Sequence, residues 1–481
     1  MIHADSPPDL TRHCRGLILC RMRRLAICIS IPLLTWSAAS AQDTHYWNQR
    51  YGTRAEFLAG AVVGAPSGLS GSFYNPGGLA LETNPQLFTT ALAAEYNSLA
   101  FNPNKQQDSS ISWSSFGGAP ALIAGAFARD TTRGRIYSYS YLTRQKFEFE
   151  LTGRGIGSLE GITPAPGDEH LSGQINYRQK AEESWGGVTL SRRLKAGFGF
   201  GASVYGAYRN QRTRREFTAA LVSDSGQGGS AISVEDYQFW TARVLGKVGF
   251  MWDRGSWTAG FTVTSPSLHL LGDGSSYVHQ SLTGIDIDSD STEDAQLLAD
   301  YQEDLSPRYQ SPVSAALGFS WVGKRASAYF STEWFGAIDA YTVMEGAEVA
   351  WKVPVDTSQA KLVHEAISVT NWAVGGSYRL STKTALYAGF ALDRSAYTGS
   401  LVQSVTLSNW NIYHASFGTE FTFKALEFTL GGTYSFGESP VESQADLETA
   451  RADQGLESDL SLGEATYKRI KVLVGFTLPI R

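Results

Sequence analysis

The sequence has little charge, and it has no cysteine after residue 28. Its three cysteines are Cys14, Cys20 and Cys28, so the chain beyond them has neither a disulfide scaffold nor a thiol site. Charged residues make up 18% of the chain, against about 25% in soluble domains. After residue 41 no apolar run reaches the roughly 18 residues of a transmembrane helix. These absences favour a glycine-rich β protein whose surface is less polar than usual.

The first 41 residues have the pattern of a secretory signal. Basic residues around Met22 precede the apolar stretch Leu25–Trp36, and Ala39–Ala41 supplies a small-residue cleavage site. We expect cleavage after Ala41, with Met22 as an alternative start. This segment carries five basic and two acidic residues, so its removal changes the formal net charge from −6 to −9. An acidic exported protein is a poor candidate for nucleic-acid binding.

From residue 85 onward, apolar and polar residues alternate with period two over long stretches. Clear examples are residues 313–321 and 470–478, where one face is apolar and the other is small or polar. These runs match or exceed the ~9–11 residues of a strand that crosses a bilayer. We therefore predict that the apolar faces meet lipid and that the glycine-rich faces line a lumen.

The alternation predicts an all-β fold, a transmembrane β-barrel of about 14 antiparallel strands. The gaps between runs are alternately long and tight, which is typical of bacterial outer-membrane barrels. A soluble propeller is the alternative, but no repeat of about 40–50 residues is present. The predicted strands are 85–98, 119–129, 134–152, 181–193, 196–217, 234–252, 256–266, 310–323, 325–340, 359–379, 383–397, 409–423, 425–437 and 464–479.

Residues 42–84 do not alternate and include a turn-forming apolar stretch. A barrel of about 14 strands has an interior too wide for its own side chains to fill. We therefore predict that 42–84 forms an N-terminal hatch, or plug, in the lumen of a barrel formed by 85–481, after a signal peptide at 1–41. A periplasmic tail is the alternative. The predicted ligand-binding residues of the hatch are Phe73, Tyr74, Asn75, Pro76 and Leu79.

The stretch Phe73–Ala80 resembles the asparagine-proline-alanine-glycine-leucine hatch signature of the FadL/TodX family of outer-membrane transporters. It departs from that signature at Gly77, where alanine is usual, and the chain ends on Arg481 without the usual aromatic. The resemblance implies transport of long-chain fatty acids or aromatic hydrocarbons past a hatch. It also implies a sideways exit near the third strand, but residues 135–151 contain no glycine or proline to mark one.

Several cations fall on the polar faces of predicted strands. A fatty-acid carboxylate entering an apolar lumen needs a partner, because an unpaired buried charge is costly. The alternative is a set of lumen ion pairs with Glu148, Glu150 and Glu420 as partners. The predicted carboxylate contacts are Arg144, Arg243, Lys247 and Arg379.

Motifs for catalysis or metal binding are weak. The histidines have no metal-ligand spacing, and no Gly-x-Ser-x-Gly or His-Glu-x-x-His motif occurs. Residues 318–325 nearly match a phosphate-binding loop, but Arg325 replaces the serine or threonine. The acidic run Asp286–Asp294 lacks the glycine of a calcium-binding hand, so a solvated loop is favoured over a cation site. No enzyme activity, cofactor or metal is predicted.

The predicted function is passive uptake of hydrophobic molecules across the bacterial outer membrane, most simply of long-chain fatty acids. The alternatives are a general porin and a FadL-like scaffold barrel that binds surface proteins. The expected partners are a hydrophobic small molecule, outer-membrane lipids and lipopolysaccharide, and the barrel-assembly machinery during biogenesis. Nucleic acid is not expected.

Overall fold

The computed structural model of the chain describes residues 44–82, 86–102, 111–130, 133–160, 163, 167–286, 292, 294–350, 357–397, 410–424, 426–441 and 463–479. The predicted signal peptide and most of the acidic run Asp286–Asp294 lie outside the described residues.

Long antiparallel strands dominate the described residues. The strands are β1 Gln86–Asn102, β2 Ile111–Asp130, β3 Arg135–Glu160, β4 Asp168–Lys195, β5 Phe198–Ser223, β6 Gly228–Arg254, β7 Trp257–Thr264, β8 Leu268–Ile285, β9 Asp294–Leu305, β10 Ser314–Val322, β11 Ala326–Phe335, β12 Ile338–Ala350, β13 Thr357–Ala366, β14 Val369–Arg379, β15 Thr384–Asp393, β16 Ile412–Phe423, β17 Leu426–Val441 and β18 Gly463–Pro479.

Fourteen of these strands close into a barrel, which confirms the predicted fold. Strands β1–β7, β10, β11 and β14–β18 follow one another around it, and β1 pairs with β18 along their length. The predicted facing also holds: Leu317 and Phe319 are 47% and 51% exposed on the outside, whereas Ala316 and Ser320, which flank this pair in the strand, are each 2% exposed and face inward. Outward-facing apolar side chains alternate with small lumen-facing ones because successive strand residues point to opposite faces.

Four strands were not predicted, and they form two hairpins in the long connections. Strands β8 and β9 occupy most of the predicted loop 267–309, where β8 continues the sheet along the upper half of β6. Strands β12 and β13 pair only with each other, so the predicted strand 359–379 is in fact parts of two. Long loops can fold into hairpins because their backbone N–H and C=O groups need partners.

Residues 44–82, which we call the hatch, are packed inside the barrel. They contain three short helices, α1 Thr53–Phe57, α2 Gly71–Tyr74 and α3 Pro76–Leu79, and a 3₁₀ turn at Gly68–Ser70. Tyr51, Phe57 and Leu58 are fully buried. None of the helices in the described part of the chain is long and apolar enough to cross a membrane.

Glycines on the inner wall of the barrel make room for the hatch backbone. A Cβ atom at Gly249 would lie 2.8 Å from the Cδ of Pro76, and one at Gly260 would lie 2.6 Å from the Nδ2 of Asn75. Gly77 itself lies between two wall glycines, because its Cβ would be 2.8 Å from the carbonyl oxygen of Gly249. Alanine at position 77 would therefore clash, which explains the departure from the family signature.

A buried ion pair ties the hatch to the last strand. The Nζ atom of Lys471 lies 3.0 Å from Oε2 of Glu56, and both side chains are almost fully buried. Thr433 donates a hydrogen bond of 2.8 Å to the other carboxylate oxygen. Burial by itself raises the pKa of Glu56, but Lys471 and Arg50 outweigh it and leave that pKa below its ordinary value. The carboxylate is therefore ionised and holds α1 against β17 and β18.

Replacing one of the wall glycines against which the hatch packs should release the hatch while leaving the barrel intact. We expect Gly260→Val to weaken hatch docking by about 1–3 kcal/mol, the usual penalty of overpacking, because its Cβ meets the carbonyl of Val63. Limited trypsin digestion should then cut after Arg50 or Arg54, which lie in the hatch inside the barrel. Gly155→Val is the matched control, since no atom lies within 4 Å of its added Cβ. Equal protection of both variants would contradict the seating role.

Candidate ligand-binding site in the lumen

Three of the predicted hatch residues anchor the hatch to the wall. The Asn75 side chain accepts a hydrogen bond from the Gly77 N–H at the start of α3, as an N-cap residue does. Its Nδ2 donates to the carbonyls of Val63 (2.8 Å) and Phe250 (2.9 Å). The Pro76 carbonyl accepts from Ser191, and Leu79 is 2% exposed in the core. These residues position the hatch and do not line the cavity described next.

The two adjacent aromatic residues of the hatch, Phe73 and Tyr74, have different roles. Tyr74 is buried, and its hydroxyl accepts a hydrogen bond of 3.1 Å from the N–H of Tyr51. The Phe73 ring packs edge-on against Tyr51 and Tyr74, with centroids 4.4 and 5.2 Å away, and contacts Trp185 on β4 at 6.0 Å. Phe73 is therefore the predicted hatch residue that reaches the cavity. The rings of Tyr51 and Tyr74 hold the Phe73 ring in place.

A cavity of about 60 Å³ lies between the hatch and the wall of β3–β7, β10 and β11. Its floor is the hatch, and its roof is the segment between β9 and β10. Three cations and two carboxylates border it together with aromatic side chains, a composition unlike that of a purely apolar pocket. The residues used below are Phe73, Arg144, Gln145, Glu183, Trp185, Arg209, Lys247, Tyr309 and Glu333, while Arg243 lies directly beside them.

Two cations in this cavity flank the Phe73 ring. The Nζ of Lys247 is 4.6 Å from the ring centroid, and the guanidinium carbon of Arg144 is 5.9 Å from it and 5.5 Å from the Trp185 ring. Lys247 is 3% exposed. Among the described residues, neither cation has a carboxylate within ion-pair distance. The nearby Glu333 carboxylate already accepts hydrogen bonds of 2.7 Å from Trp47 and Ser314.

Arg243, another predicted carboxylate contact, belongs to a buried network. Its Nη2 lies 2.7 Å from Oε2 of Glu183, and Arg209 lies 3.1 Å from the same oxygen. The other oxygen of Glu183 accepts a hydrogen bond of 2.7 Å from Trp185, and Arg209 donates to Gln145 at 2.6 Å. Glu183 thereby links Arg209, Arg243 and Trp185, so this network positions the upper wall of the cavity.

Comparison with solved structures identifies the architecture. The deltaS2S3 mutant of the TodX monoaromatic hydrocarbon channel matches with a TM-score of 0.55 at 14% identity, over 90% of this chain and 100% of that one. A Pseudomonas aeruginosa FadL homologue matches with a TM-score of 0.53 at 13% identity, over 92% and 100%. The Ralstonia pickettii toluene transporter TbuX matches with 0.52 at 11% identity, over 90% and 99%. No protein-family model matches the sequence, and no curated protein is similar to it.

The chain has the fold of the FadL/TodX transporters. The predicted resemblance to this family is thereby confirmed at the level of the fold. The structural neighbours are named as transporters and channels, not as enzymes. What this chain shares with those structures is the fold, whereas the cavity residues are described for this chain only.

A β-bulge in β3 aims Arg144 into the cavity. The β3–β4 register shifts between Thr143 and Gln145, so Arg144 has no partner across the ladder. Bulges often sit beside functional sites, where they redirect a side chain. The alternation of the sequence alone cannot reveal this, because a bulge shifts the phase of the pattern by one residue.

The FadL/TodX fold here has a gap in its wall between β2 and β3. Their ladder ends at the pair Leu122–Leu142, beyond which β2 pairs only with β1 and β3 only with β4. Pro120 lies on the unpaired edge of β2, where a missing N–H is harmless. Lys146 bridges the gap by donating to the Gly118 carbonyl at 3.3 Å. The sequence signal for the gap is therefore Gly117–Pro120 on the second strand, and not a glycine or proline on the third.

Arg379 lies away from the cavity. It is exposed at the end of β14, and its Nη1 lies 3.5 Å from the carbonyl oxygen of Lys324 in the adjoining tight turn. A period-two pattern assigns a residue to a face but does not give its height along the barrel. Of the four predicted carboxylate contacts, the structure thus brings together Arg144, Arg243 and Lys247. Glu183, Trp185 and Tyr309 were missed because no local motif marks them.

Proposed function

We propose that this barrel takes up hydrophobic molecules with an anionic head group across the bacterial outer membrane, and that long-chain fatty acids are its substrates. The observation that supports this is the buried ammonium of Lys247, which lies over Phe73 without a carboxylate partner. The transporter names of the structural neighbours support the broader class.

The chemistry of the cavity favours a carboxylate over a neutral hydrocarbon. An unpaired buried charge is costly, and a carboxylate between Lys247 and Arg144 would provide two charge-assisted contacts at once. The rings of Phe73 and Trp185 offer an apolar surface beside those cations. A fatty acid matches both halves of this environment, since its head is anionic and its tail is apolar.

The route follows from the position of the cavity. Ligand would enter from the end with the long connections, rest above the hatch and leave sideways through the gap between β2 and β3. Arg144 and Gln145 line the cavity and lie on the β3 edge of that gap. A cavity of about 60 Å³ is smaller than the ~150 Å³ that accommodates benzene. Ligand binding therefore requires side-chain movement and favours a minor, more open state of the hatch.

The proposed location is the outer membrane, reached by way of the predicted signal peptide. The outward apolar band of the barrel would contact lipid. Lipopolysaccharide and the barrel-assembly machinery are proposed partners on the same basis. Uptake would be passive, with the ligand moving down its concentration gradient.

A second candidate substrate is a neutral monoaromatic hydrocarbon. The names of two structural neighbours refer to monoaromatic hydrocarbons and toluene. Five aromatic rings border the cavity here, those of Tyr46, Phe73, Trp185, Tyr309 and Phe335. The two candidates differ in their need for Lys247 and Arg144.

Competition binding separates the candidates. Purified protein in detergent would be loaded with a fluorescent fatty acid and titrated with palmitate, hexadecanol or toluene. We expect palmitate to displace the probe at about tenfold lower concentration than hexadecanol, because one charge-assisted contact exceeds a neutral one by about 1.4 kcal/mol. Displacement by toluene with no effect of palmitate would overturn the fatty-acid assignment in favour of the hydrocarbon.

A further inference from the structure

The outer face of β5 shows where a membrane would meet the barrel. Phe198 follows the tight turn after β4, and its ring centroid lies 6.3 Å from that of Phe250 on β6. Ten residues further along, Tyr208 stacks on Trp240 of β6, with ring centroids 5.9 Å apart. Ten residues rise about 33 Å along a strand, or about 25 Å in height at the usual tilt of about 40°. Aromatic girdles bound an apolar band of this height in outer-membrane barrels, so Tyr208 marks the upper edge of that band.

Three arginines lie on the outer face just above Tyr208, on the side of the long connections. Arg212 follows Tyr208 by four residues on β5, and Arg214 comes next on the same face. Arg178 of β4 lies directly opposite Arg214 in the ladder. Thr213, between the two β5 arginines, is 5% exposed and faces the lumen, whereas the three arginine side chains are 39–55% exposed. We call these three residues the arginine cluster.

The pairing in this part of the sheet sets like charges against each other. Arg178 lies opposite Arg214, and the next outward-facing pair of the same ladder is Lys180 with Arg212. Like charges that lie directly opposite each other destabilise an antiparallel pair. The arrangement therefore lowers the stability of the sheet, and it concentrates positive charge at one place on the outside of the barrel. An anionic partner would relieve that repulsion.

Carboxylates surround the arginine cluster but do not lie between its members. They come from β3 and β6 on either side and from the strands of the cluster themselves. Exposed ion pairs of this kind contribute little stability, so the guanidinium groups remain available to an anion. The contacts between nitrogen and oxygen are Arg178–Glu150 2.6 Å, Lys180–Glu182 3.4 Å, Arg212–Asp236 2.6 Å, Arg214–Asp236 3.4 Å and Arg214–Glu216 3.1 Å.

We propose that the arginine cluster binds the phosphate group of a phosphorylated glycolipid in the outer leaflet, the lipid A part of lipopolysaccharide. Guanidinium groups bind phosphate bidentately. Opposite residues of an antiparallel pair lie about 5 Å apart, so one phosphate reaches both Arg178 and Arg214. The acyl chains then lie along the apolar band below Tyr208. This inference rests on the proposed outer-membrane location, and it places a lipid site on the outside of the barrel, separate from the lumen.

The surrounding carboxylates favour a glycolipid over a phospholipid. A sugar head group carries several hydroxyl donors beside its phosphate, and Glu150, Glu216 and Asp236 are acceptors around the cluster. Ionised carboxylates accept strong, charge-assisted hydrogen bonds from such donors. The head group of phosphatidylglycerol is smaller and offers fewer hydroxyl groups. The mixture of arginines and carboxylates therefore matches a phosphorylated sugar better.

Lipid binding to the purified protein tests the site. Native mass spectrometry in detergent would give dissociation constants of lipid A and phosphatidylglycerol for the wild type and for Arg178→Gln/Arg214→Gln. We expect the wild type to prefer lipid A. The double variant should bind lipid A about tenfold more weakly, because it loses two charge-assisted contacts to one phosphate. The matched control is Lys324→Gln/Lys383→Gln, which removes two exposed cations from tight turns at the opposite end of the barrel and should bind lipid A like the wild type.

Several results would overturn the lipid site. Equal weakening in the control would mean general attraction to cations, and unchanged lipid A binding in the double variant would place the lipid elsewhere. Loss of binding in EDTA, with no effect of the double variant, would assign the lipid to Mg²⁺ on the carboxylates. Equal affinity for phosphatidylglycerol would contradict the glycolipid. Full displacement of lipid A by inorganic phosphate would identify a site for the free ion.

Palmitate titration separates this inference from the proposed function. The double variant should bind palmitate like the wild type because its substitutions lie outside the lumen, and this result also shows that the variant is folded. If lipid A does not bind while palmitate binds with dependence on Lys247, the lipid site is wrong and the proposed uptake stands. If lipid A binds and palmitate does not, uptake is wrong and the lipid site stands.

Discussion

Deletion of residues 44–82 is expected to convert a closed barrel into an open pore. The segment occupies the lumen and is buried along nearly its whole length. Small barrels of about 8 strands are filled by their own side chains, but larger ones leave an interior space. Removing the hatch from 14 strands should therefore raise single-channel conductance in a planar bilayer to the level of an unplugged porin.

The deletion should leave the wall itself intact. Every ladder of the closed barrel lies outside the hatch, although Lys471 and Arg469 would lose their hatch partners Glu56 and Asn48. Combining the deletion with Lys471→Met removes the buried positive charge that the deletion leaves without its Glu56 partner. Phe73→Ala, which retains the hatch, serves as the comparison and should conduct like the wild type. Unchanged conductance after deletion would mean that residues 44–82 do not plug the pore.

Replacing Lys247 by methionine is expected to weaken palmitate binding by about 10- to 100-fold. This range corresponds to the ~1.5–3 kcal/mol of a hydrogen bond to a charged group. Methionine preserves an unbranched side chain over the Phe73 ring while removing the charge. Hexadecanol affinity should therefore stay constant or rise. Equilibrium titration of both ligands into the purified protein measures the two effects separately.

The informative quantity is the ratio of the two affinities. Lys180→Met is the control, because Lys180 is about half exposed on β4 and pairs with Glu182 outside the lumen. It should alter neither ligand. An equal loss of palmitate and hexadecanol binding in Lys247→Met would show that the substitution damages the cavity as a whole. In that case the carboxylate contact would be wrong.

The strands and their facing are predictable from the sequence because both depend on a local rule. Alternate apolar residues of 470–478, from Ile470 to Leu478, face outward in the structure, whereas Leu473 between them faces inward. The hairpin β12–β13 escaped prediction since its alternation runs into that of β14 with only Ile367 and Ser368 between them. The continuous alternation of apolar and polar residues then hides the point at which the chain reverses direction and passes from one sheet to the other.

The site is less predictable because it is assembled from distant segments. Lys247 and Arg144 could be placed on lumen faces, yet their shared position beside Phe73 depends on strand stagger and on a bulge at Arg144. Tyr309 lies in a connection without any periodic pattern, and only the fold brings it to Arg209. The sequence thus indicates which side chains enter the lumen but not which of them meet.

The seats of the hatch also impose an order on biogenesis. Thr53 packs closely against Gly475 of β18, and Pro76 packs closely against Gly201 of β5. The hatch therefore cannot dock completely until the last strand has formed. The hatch must therefore remain undocked until the residues of β18 are available for pairing. Closure of the barrel and docking of the hatch therefore become a single late step, and folding intermediates that lack β18 should be permeable.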